Sequence, residues 1–268
     1  MGKYITTIDK ESFSKIASDA ISKDKELLLY IIIEMLFKIS MIILWVAPYT
    51  TKGPIKISTG YLDMFMRITV YYVGFNFVTN ISNLLITYTI IERKKKSNPT
   101  PIKAIIYSIK NLKFLLTMTC VTSFLELILY CIKNRRVRAY EMERHLERGT
   151  LTEEKVDFFV VMDYIFIYFV TGSNMNFTQT YKITKKSIYK NSFFSINYEN
   201  NNLKIILIFA GMGIASTITY ASFFRDDTVV RIMIFGTVLV TVAMFHFFGL
   251  LSSIVINEVI SSKVKKIE

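Results

Sequence analysis

Ionisable side chains lie inside several long apolar stretches of this 268-residue chain, and they are the groups best placed to do chemistry. Glu126 and Asp163 belong to consecutive apolar stretches. If these form antiparallel helices, both carboxylates lie at one level, about 9 Å below the same surface. There they could share a proton or a cation, because each disfavours the charge of the other. In the structural alternative, Arg231 or a threonine or tyrosine of another helix pairs with each carboxylate, since unpaired charge is costly in an apolar medium.

A second pair, Lys38 and His246, falls at a common level nearer the opposite surface. Glu34 precedes Lys38 by one helical turn, and this order of acid before base favours an ion pair within the helix. We therefore expect Glu34 and Lys38 to neutralise each other. For His246 the sequence predicts a hydrogen-bonded contact between helices, with a ligand role as the alternative.

Uncharged polar side chains form stripes at helical spacing on two apolar stretches. The first stripe comprises Asn76, Thr79, Asn80, Asn83 and Thr87, and the second comprises Thr119, Thr122, Ser123, Glu126 and Tyr130. In lipid such stripes must face other helices or a hydrated cavity. The sequence thus predicts interhelical hydrogen bonds, with a water-lined conduit as the functional alternative.

The elements that carry these residues are long, apolar and helical in pattern. Residues 68–91 carry no charge and, at about 1.5 Å per residue, can cross a hydrocarbon core of about 30 Å. Hydrophobic residues make up 52% of the chain. We therefore predict an all-α fold, a polytopic transmembrane helical bundle forming one domain over 1–268. Its six spans are predicted at about 27–46, 68–91, 114–132, 156–173, 203–224 and 229–256.

Three basic amphipathic segments precede successive pairs of spans. The first, residues 9–21, is predicted to lie on the cytoplasmic surface of the membrane or, alternatively, to pack on protein. The second follows Thr100, a predicted N-cap, and Pro101, at the first helical position. The third lies within 177–190. Between spans three and four, Gly149 is expected to end a charged helix and Thr152 to cap the next one.

The distribution of basic residues predicts the orientation. The net charge is +12, but the basic residues cluster beside apolar spans, as in the run from Arg93 to Lys96. Anionic lipid headgroups and the membrane-insertion machinery account for such clusters, so nucleic acid is not expected as a partner. We expect a multi-pass protein of the cell membrane with both termini cytoplasmic.

The sequence carries no catalytic signature. It contains no Gly-rich phosphate loop, no nucleophile elbow, no ATPase motif and no paired-His or paired-Cys metal motif. We therefore expect no catalytic residues, no metal and no cofactor. Cys120 and Cys131 lie on one predicted helix, about 16 Å apart and too far for a disulfide.

Short patches of the chain resemble a group of six-helix prokaryotic integral membrane proteins of uncharacterised function. These proteins are similar to the membrane domain fused to some glycerophosphodiester phosphodiesterases. The patches are residues 24–28, Phe75-Asn76, 98–100 and 181–186, whereas the glycine expected near Lys96 is absent. The resemblance implies a six-helix membrane fold and carries no activity onto any residue.

Three functions fit these features. The first is a non-enzymatic accessory or scaffold subunit of a membrane assembly, with other membrane subunits and anionic lipid as partners. The second is a transport protein, either the permease subunit of an ATP-driven exporter or a small proton-coupled carrier. The third is an intramembrane enzyme acting on lipid, with Glu126 and Asp163 as acid and base.

Overall fold

The computed structural model describes residues 10–51, 61–132, 142, 144–145, 148–172, 175–191, 201–224 and 227–261. All the regular secondary structure assigned in these ranges is helical, which confirms the all-α prediction. The α-helices are α1 (Lys10–Lys23), α2 (Glu26–Thr51), α3 (Tyr61–Lys94), α4 (Pro101–Lys110), α5 (Leu112–Ile132), α6 (Phe158–Thr171), α7 (Phe177–Asn191), α8 (Asn201–Phe224) and α9 (Asp227–Ser261). A 3₁₀ turn, Glu153–Lys155, precedes α6. The chain termini, with the basic tail after 261, and most of 133–147 lie outside the described residues.

Each of the six predicted spans contains a helix, but length and composition qualify few of them as spans. Within the described ranges, Val229–Ser261 of α9 alone is long and apolar enough to cross a membrane. The number rises to two if α4 and the first part of α5, bent by 71°, are counted as one broken span. Helix α6 and residues 207–223 of α8 are apolar but shorter. The six-span arrangement therefore stays a prediction.

The helices divide into two compact units. The first unit comprises Met1–Tyr30, Tyr72–Tyr198 and Ser253–Glu268, and the second comprises Ile31–Tyr71 and Glu199–Ser252. Three long helices, α2, α3 and α9, each contribute residues to both units. The two units differ in how they bury apolar side chains, so we describe them separately.

The core of the first unit is built around α6. Almost every residue of this helix is apolar, and all of Tyr164 to Val170 is buried. A helix that is apolar all round must be covered all round. Apolar residues of α3, α5, α7 and α9 supply that cover, and Phe114 of α5 stacks on Phe169 with ring centroids 3.6 Å apart.

Local sequence sets where these helices begin. Thr100 accepts a hydrogen bond from the Lys103 amide and Pro101 follows it, so the predicted start of α4 is confirmed. The predicted cap before α6 is wrong. Thr152 makes no side-chain cap and precedes only the 3₁₀ turn, whereas the Asp157 carboxylate caps α6 by accepting from the Phe159 amide at 2.9 Å. Asp157 is the N-cap because it lies directly before the helix, where its carboxylate oxygen reaches an amide of the first turn.

Two residues with positive φ end helical turns. Gly149 has a φ of 69°, and the Thr150 amide bonds back to the His145 carbonyl, as expected for the end of the charged stretch. Lys96 has a φ of 60° just after α3, and the Ser97 amide bonds back to the Glu92 carbonyl. The position next to α3 where a glycine was expected is thus left-handed, and a lysine occupies it.

The three amphipathic segments form helices, but they place their apolar faces differently. The apolar face of α1, with Phe13, Ala17 and Ala20, is buried within the first unit, which is the alternative of packing on protein. That of α7 packs against α6 and buries Ile188. The isoleucines of α4 are exposed instead. Only neighbouring helices decide this difference, because the three segments share one periodicity.

The second unit exposes many large apolar side chains. On α8 and α9 these include Leu207, Ile208, Met212, Ile214, Ile218, Phe223, Ile232, Ile234, Val238 and Val240. On α8, Gly213, Thr217 and Ala221 recur at four-residue steps, and small residues so placed allow another helix to approach closely. Gly213 lies so close to Thr237 of α9 that an added Cβ would overlap the threonine side chain, while Gly211 has open space.

We expect Gly213→Ala to destabilise the second unit by about 1–3 kcal/mol, because Thr237 is stiff at χ1 and its neighbours must shift to admit the methyl group. Gly211→Ala is the matched control, and we expect it to be neutral or stabilising by up to about 1 kcal/mol through helix propensity. Unfolding in mixed detergent micelles, followed by circular dichroism, measures both. Equal effects of the two substitutions would contradict the close approach of α8 to α9.

Candidate functional site

The two predicted polar stripes meet along the seam between α3 and α5. Asn76 Nδ2 donates to Ser123 Oγ at 2.9 Å, and Asn80 Nδ2 donates to Thr119 Oγ1 at 3.0 Å. Asn80, Ser123 and Thr119 are buried. These bonds satisfy polar groups that an apolar surrounding would leave unpaired. The expected interhelical hydrogen bonding is thus present along this seam at two positions.

The third asparagine of the stripe, Asn83, behaves differently. Its backbone carbonyl accepts from the Thr87 hydroxyl at 2.7 Å. Its buried side-chain oxygen has no hydrogen-bond partner among the residues that the structure describes. Asn76 and Asn80 of the stripe therefore form hydrogen bonds between α3 and α5, whereas the side-chain oxygen of Asn83 does not.

The second unit holds a three-membered ionisable cluster, of which Glu34 and Lys38 are buried and His246 is half-buried. Lys38 is 2% exposed and Glu34 1% exposed, and Lys38 Nζ lies 2.5 Å from Glu34 Oε1 within α2. The same ammonium donates to Nδ1 of His246 on α9 at 3.1 Å. The structure thus brings Lys38 and His246 together, as their common depth suggested, and it contains the ion pair of Lys38 with Glu34 that their spacing predicted.

The chemistry of this cluster follows from the donor. An ammonium group donates hydrogen bonds and cannot accept them, so the bonded Nδ1 of His246 carries the lone pair. The proton of the neutral imidazole is then on Nε2. The cluster places one buried positive charge between a carboxylate and a neutral acceptor, an arrangement that can hold charge in an apolar surrounding or relay a proton.

The predicted carboxylate site is placed only in part. Asp163 lies on α6, in the first unit, as the exposed residue between buried Met162 and Tyr164. Arg231 is exposed on α9, in the second unit. The Glu126 side chain lies outside the described residues. Sharing of a proton or cation by Glu126 and Asp163 stays a prediction.

The structure reveals an ion network at the ends of three helices. The Arg93 guanidinium at the end of α3 contacts the carboxylates of Asp24, between α1 and α2, and Glu258, near the end of α9. Lys94 Nζ lies 3.1 Å from Glu258 and donates to Ser261 Oγ at 2.8 Å. Burial raises the pKa of the Asp24 carboxyl above its ordinary value, outweighing the opposing attraction of Arg93.

The sequence pattern does not predict this network, because Arg93 belongs to the basic cluster that was expected to face lipid headgroups. The side chain of Arg93 is instead only 19% exposed and paired within the protein. Contacts between residues so distant in sequence leave no periodic pattern. The available signal was the position of each charge at the end of an apolar helix, where helix ends from distant parts of the chain can meet.

The described residues contain no group of three or more His, Cys, Asp or Glu side chains able to hold a metal ion. No protein-family model, curated protein or solved structure matches the chain. The resemblance to the membrane domain of glycerophosphodiester phosphodiesterases therefore stays a prediction. The function proposed below is based on the burial and the contacts of the described residues.

We expect Lys38→Met to destabilise the second unit by about 3–5 kcal/mol, because it leaves the Glu34 carboxylate buried and without its counter-ion. The double variant Glu34→Leu/Lys38→Met should recover most of this loss, since both charges are then replaced by apolar groups. Ser40→Ala, at an exposed position of α2, is the control and should be neutral. Micellar unfolding measures the three, and a double variant no more stable than Lys38→Met would refute the buried pair.

For the network around Arg93, we expect Arg93→Gln to cost about 3 kcal/mol, because Asp24 then lacks a cation and Glu258 keeps only Lys94. Asp24→Asn should cost less than about 1 kcal/mol, since Arg93 keeps Glu258 and the carboxyl that is unfavourably buried is removed. Lys95→Gln breaks only an exposed pair with Glu92 and should be near neutral. The same unfolding assay ranks them, and an equal loss for Asp24→Asn and Arg93→Gln would contradict this network.

Proposed function

We propose that this chain is a non-enzymatic integral membrane protein with six spans and cytoplasmic termini, acting as an accessory or scaffold subunit of a membrane assembly. One observation carries the proposal. The second unit exposes large apolar side chains while it buries Lys38 and Glu34. Such an inverted distribution is costly in water and favourable in lipid, where the surrounding medium is apolar and polar groups must be satisfied internally.

The exposed apolar surface extends along both helices α8 and α9. Phe223 of α8 is 77% exposed and Ile232 of α9 is 63% exposed. The other large apolar side chains named above for α8 and α9 are exposed as well. Single exposed apolar residues are ordinary, but a continuous set along two helices marks a surface for lipid or for other transmembrane helices. That surface is what a subunit of a membrane assembly needs.

The polar stripes support a scaffold over a conduit. Asn76 and Asn80 use their side-chain amides on Ser123 and Thr119 of the neighbouring helix. Hydrogen bonds across a helix seam hold helices together and set their register, whereas a conduit must leave polar groups open to water. The close approach at Gly213 serves the same purpose of helix association.

A transport function is the second candidate, and the cluster of Glu34, Lys38 and His246 favours it. Ionisable groups within a transmembrane segment commonly mark an ion or proton pathway. In that case the chain is either a small proton-coupled carrier or the permease partner of a separate ATPase. The cluster then has to change its protonation state or open to water during transport.

A topology and assembly experiment tests the first proposal. In a chain with Cys120 and Cys131 replaced by serine, Lys95→Cys should react with a membrane-impermeant maleimide only after the cells are permeabilised. The chain should resist alkaline carbonate extraction and migrate on native gels in an assembly well above its own mass of 31.1 kDa. Labelling of residue 95 in intact cells, or release by carbonate, would refute the proposal.

The double variant Glu34→Leu/Lys38→Met separates the two candidates. A scaffold should keep its assembly, because the variant keeps the apolar packing between the helices. A proton-coupled carrier should lose proton flux in proteoliposomes, since both charges of the relay are gone. Co-purification of an ATPase subunit whose activity depends on this chain would favour the permease.

A further inference from the structure

Helix α4 is the amphipathic segment whose apolar face no described part of the first unit covers. Ile102, Ile105, Ile106 and Ile109 are exposed, and Ile102 reaches 69%. The opposite face buries Ala104 and Ser108 in the same unit. Helix α4 is thus attached by its small-residue face and presents its isoleucines outward.

The apolar surface does not stop at the end of α4. After a bend of 71° it continues on α5, where Leu112, Leu116, Phe124 and Ile128 are exposed, and exposed Cys120 lies midway between Leu116 and Phe124. Under the proposed function, this face of α5 lies in lipid. Helix α4 meets α5 at this angle, and the apolar face of α4 continues into that of α5. This is the geometry of a helix that lies in the membrane–water interface.

The charged residues of α4 and of the segment between α3 and α4 are all basic, and the carboxylate of Glu92 in α3 interacts electrostatically with Lys103. The chain from Arg93 to Leu125 holds seven basic residues and no acidic residue. Lys103, Lys110 and Lys113 are exposed on or directly after α4. Basic residues that flank an inserted apolar face are attracted to anionic headgroups, and each of them adds a similar increment to the free energy of binding.

We propose that α4 is an anionic-lipid anchor, which inserts its isoleucines into the cytoplasmic leaflet and holds the headgroups of anionic lipids with Lys103 and Lys110. This inference rests on the proposed membrane location and adds the chemistry of the lipid that is recognised. It also distinguishes α4 from α1 and α7, which carry lysines as well but bury their apolar faces on protein.

Spin labels in the full chain, reconstituted in nanodiscs, test the insertion. In a Cys120→Ser/Cys131→Ser background, labels are placed at Ile105→Cys and Lys103→Cys on α4, at Lys182→Cys on α7 and at Val238→Cys on α9. The Ile105 label should collide with oxygen more than with a water-soluble nickel complex, and the Lys103 and Lys182 labels should show the reverse. The Val238 label reports on the proposed membrane location alone.

The lipid preference is tested with matched charge variants. Competition between phosphatidylglycerol and phosphatidylcholine, read by native mass spectrometry, should show about 30-fold weaker preference for phosphatidylglycerol in Lys103→Gln/Lys110→Gln. Lys182→Gln/Lys186→Gln removes the same charge from exposed positions of α7 and should change the preference far less. Equal losses in the two variants would reduce the effect to net charge and overturn the inference.

The remaining outcomes separate this inference from the proposed function. A water-exposed Ile105 label with a lipid-exposed Val238 label would overturn the anchor and leave the membrane protein standing. An Ile105 label shielded from both oxygen and nickel would mean that protein, such as a second copy of the chain, covers α4, and would also overturn it. Water exposure of both labels would refute the membrane location and the anchor together.

Discussion

A polar side chain on an apolar helix must find its hydrogen-bond partner inside the protein, because neither lipid nor an apolar core supplies one. This constraint explains why Asn76 and Asn80 of α3 meet hydroxyl groups of α5. It also explains why Lys38 lies between Glu34 and His246. The contacts of Asn76, Asn80 and His246 each join two helices, and they help to set which faces of those helices turn inward.

The two units meet the same constraint with different amounts of apolar packing. In the first unit, α6 is covered on nearly every side and aromatic rings such as Phe114 and Phe169 stack around it. In the second unit, many large apolar side chains are exposed, and the buried residues include charged Glu34 and Lys38 beside apolar Ile31 and Leu250. The first unit therefore has a closely packed apolar core around α6, although its helices α4 and α5 also expose apolar side chains, whereas the second unit has a largely apolar exposed surface.

Charge near the helix ends has two separate uses. Arg93 and Lys94 are engaged with carboxylates and hold helix ends together. Lys103, Lys110 and Lys113 on or directly after α4 are exposed, and no acidic residue lies between Arg93 and Leu125. The basic residues of this region thus fall into two groups. Arg93 and Lys94 hold helices together, whereas the exposed lysines of α4 are available to bind headgroups under the proposed function. Only the first group should be insensitive to lipid composition.

The sequence by itself determined the local features, because helical periodicity and capping depend on residues within one or two turns. It predicted the all-α fold, the start of α4 at Thr100 and the residue types that pair across the α3–α5 seam. It missed Asp157 as the cap of α6, where Thr152 offered a competing pattern. It also missed the reciprocal bonds of Asn176 and Gln179 that begin α7.

Tertiary structure decided which surfaces are covered. Helices α1, α4 and α7 share a basic amphipathic pattern, yet α4 alone among them leaves its apolar face open, because covering a face depends on helices far away in the chain. The Arg93 network depends on contacts between residues more than sixty positions apart in the case of Asp24, and on α9 for Glu258. Local spacing carries no information about such meetings, since they depend on how whole helices pack.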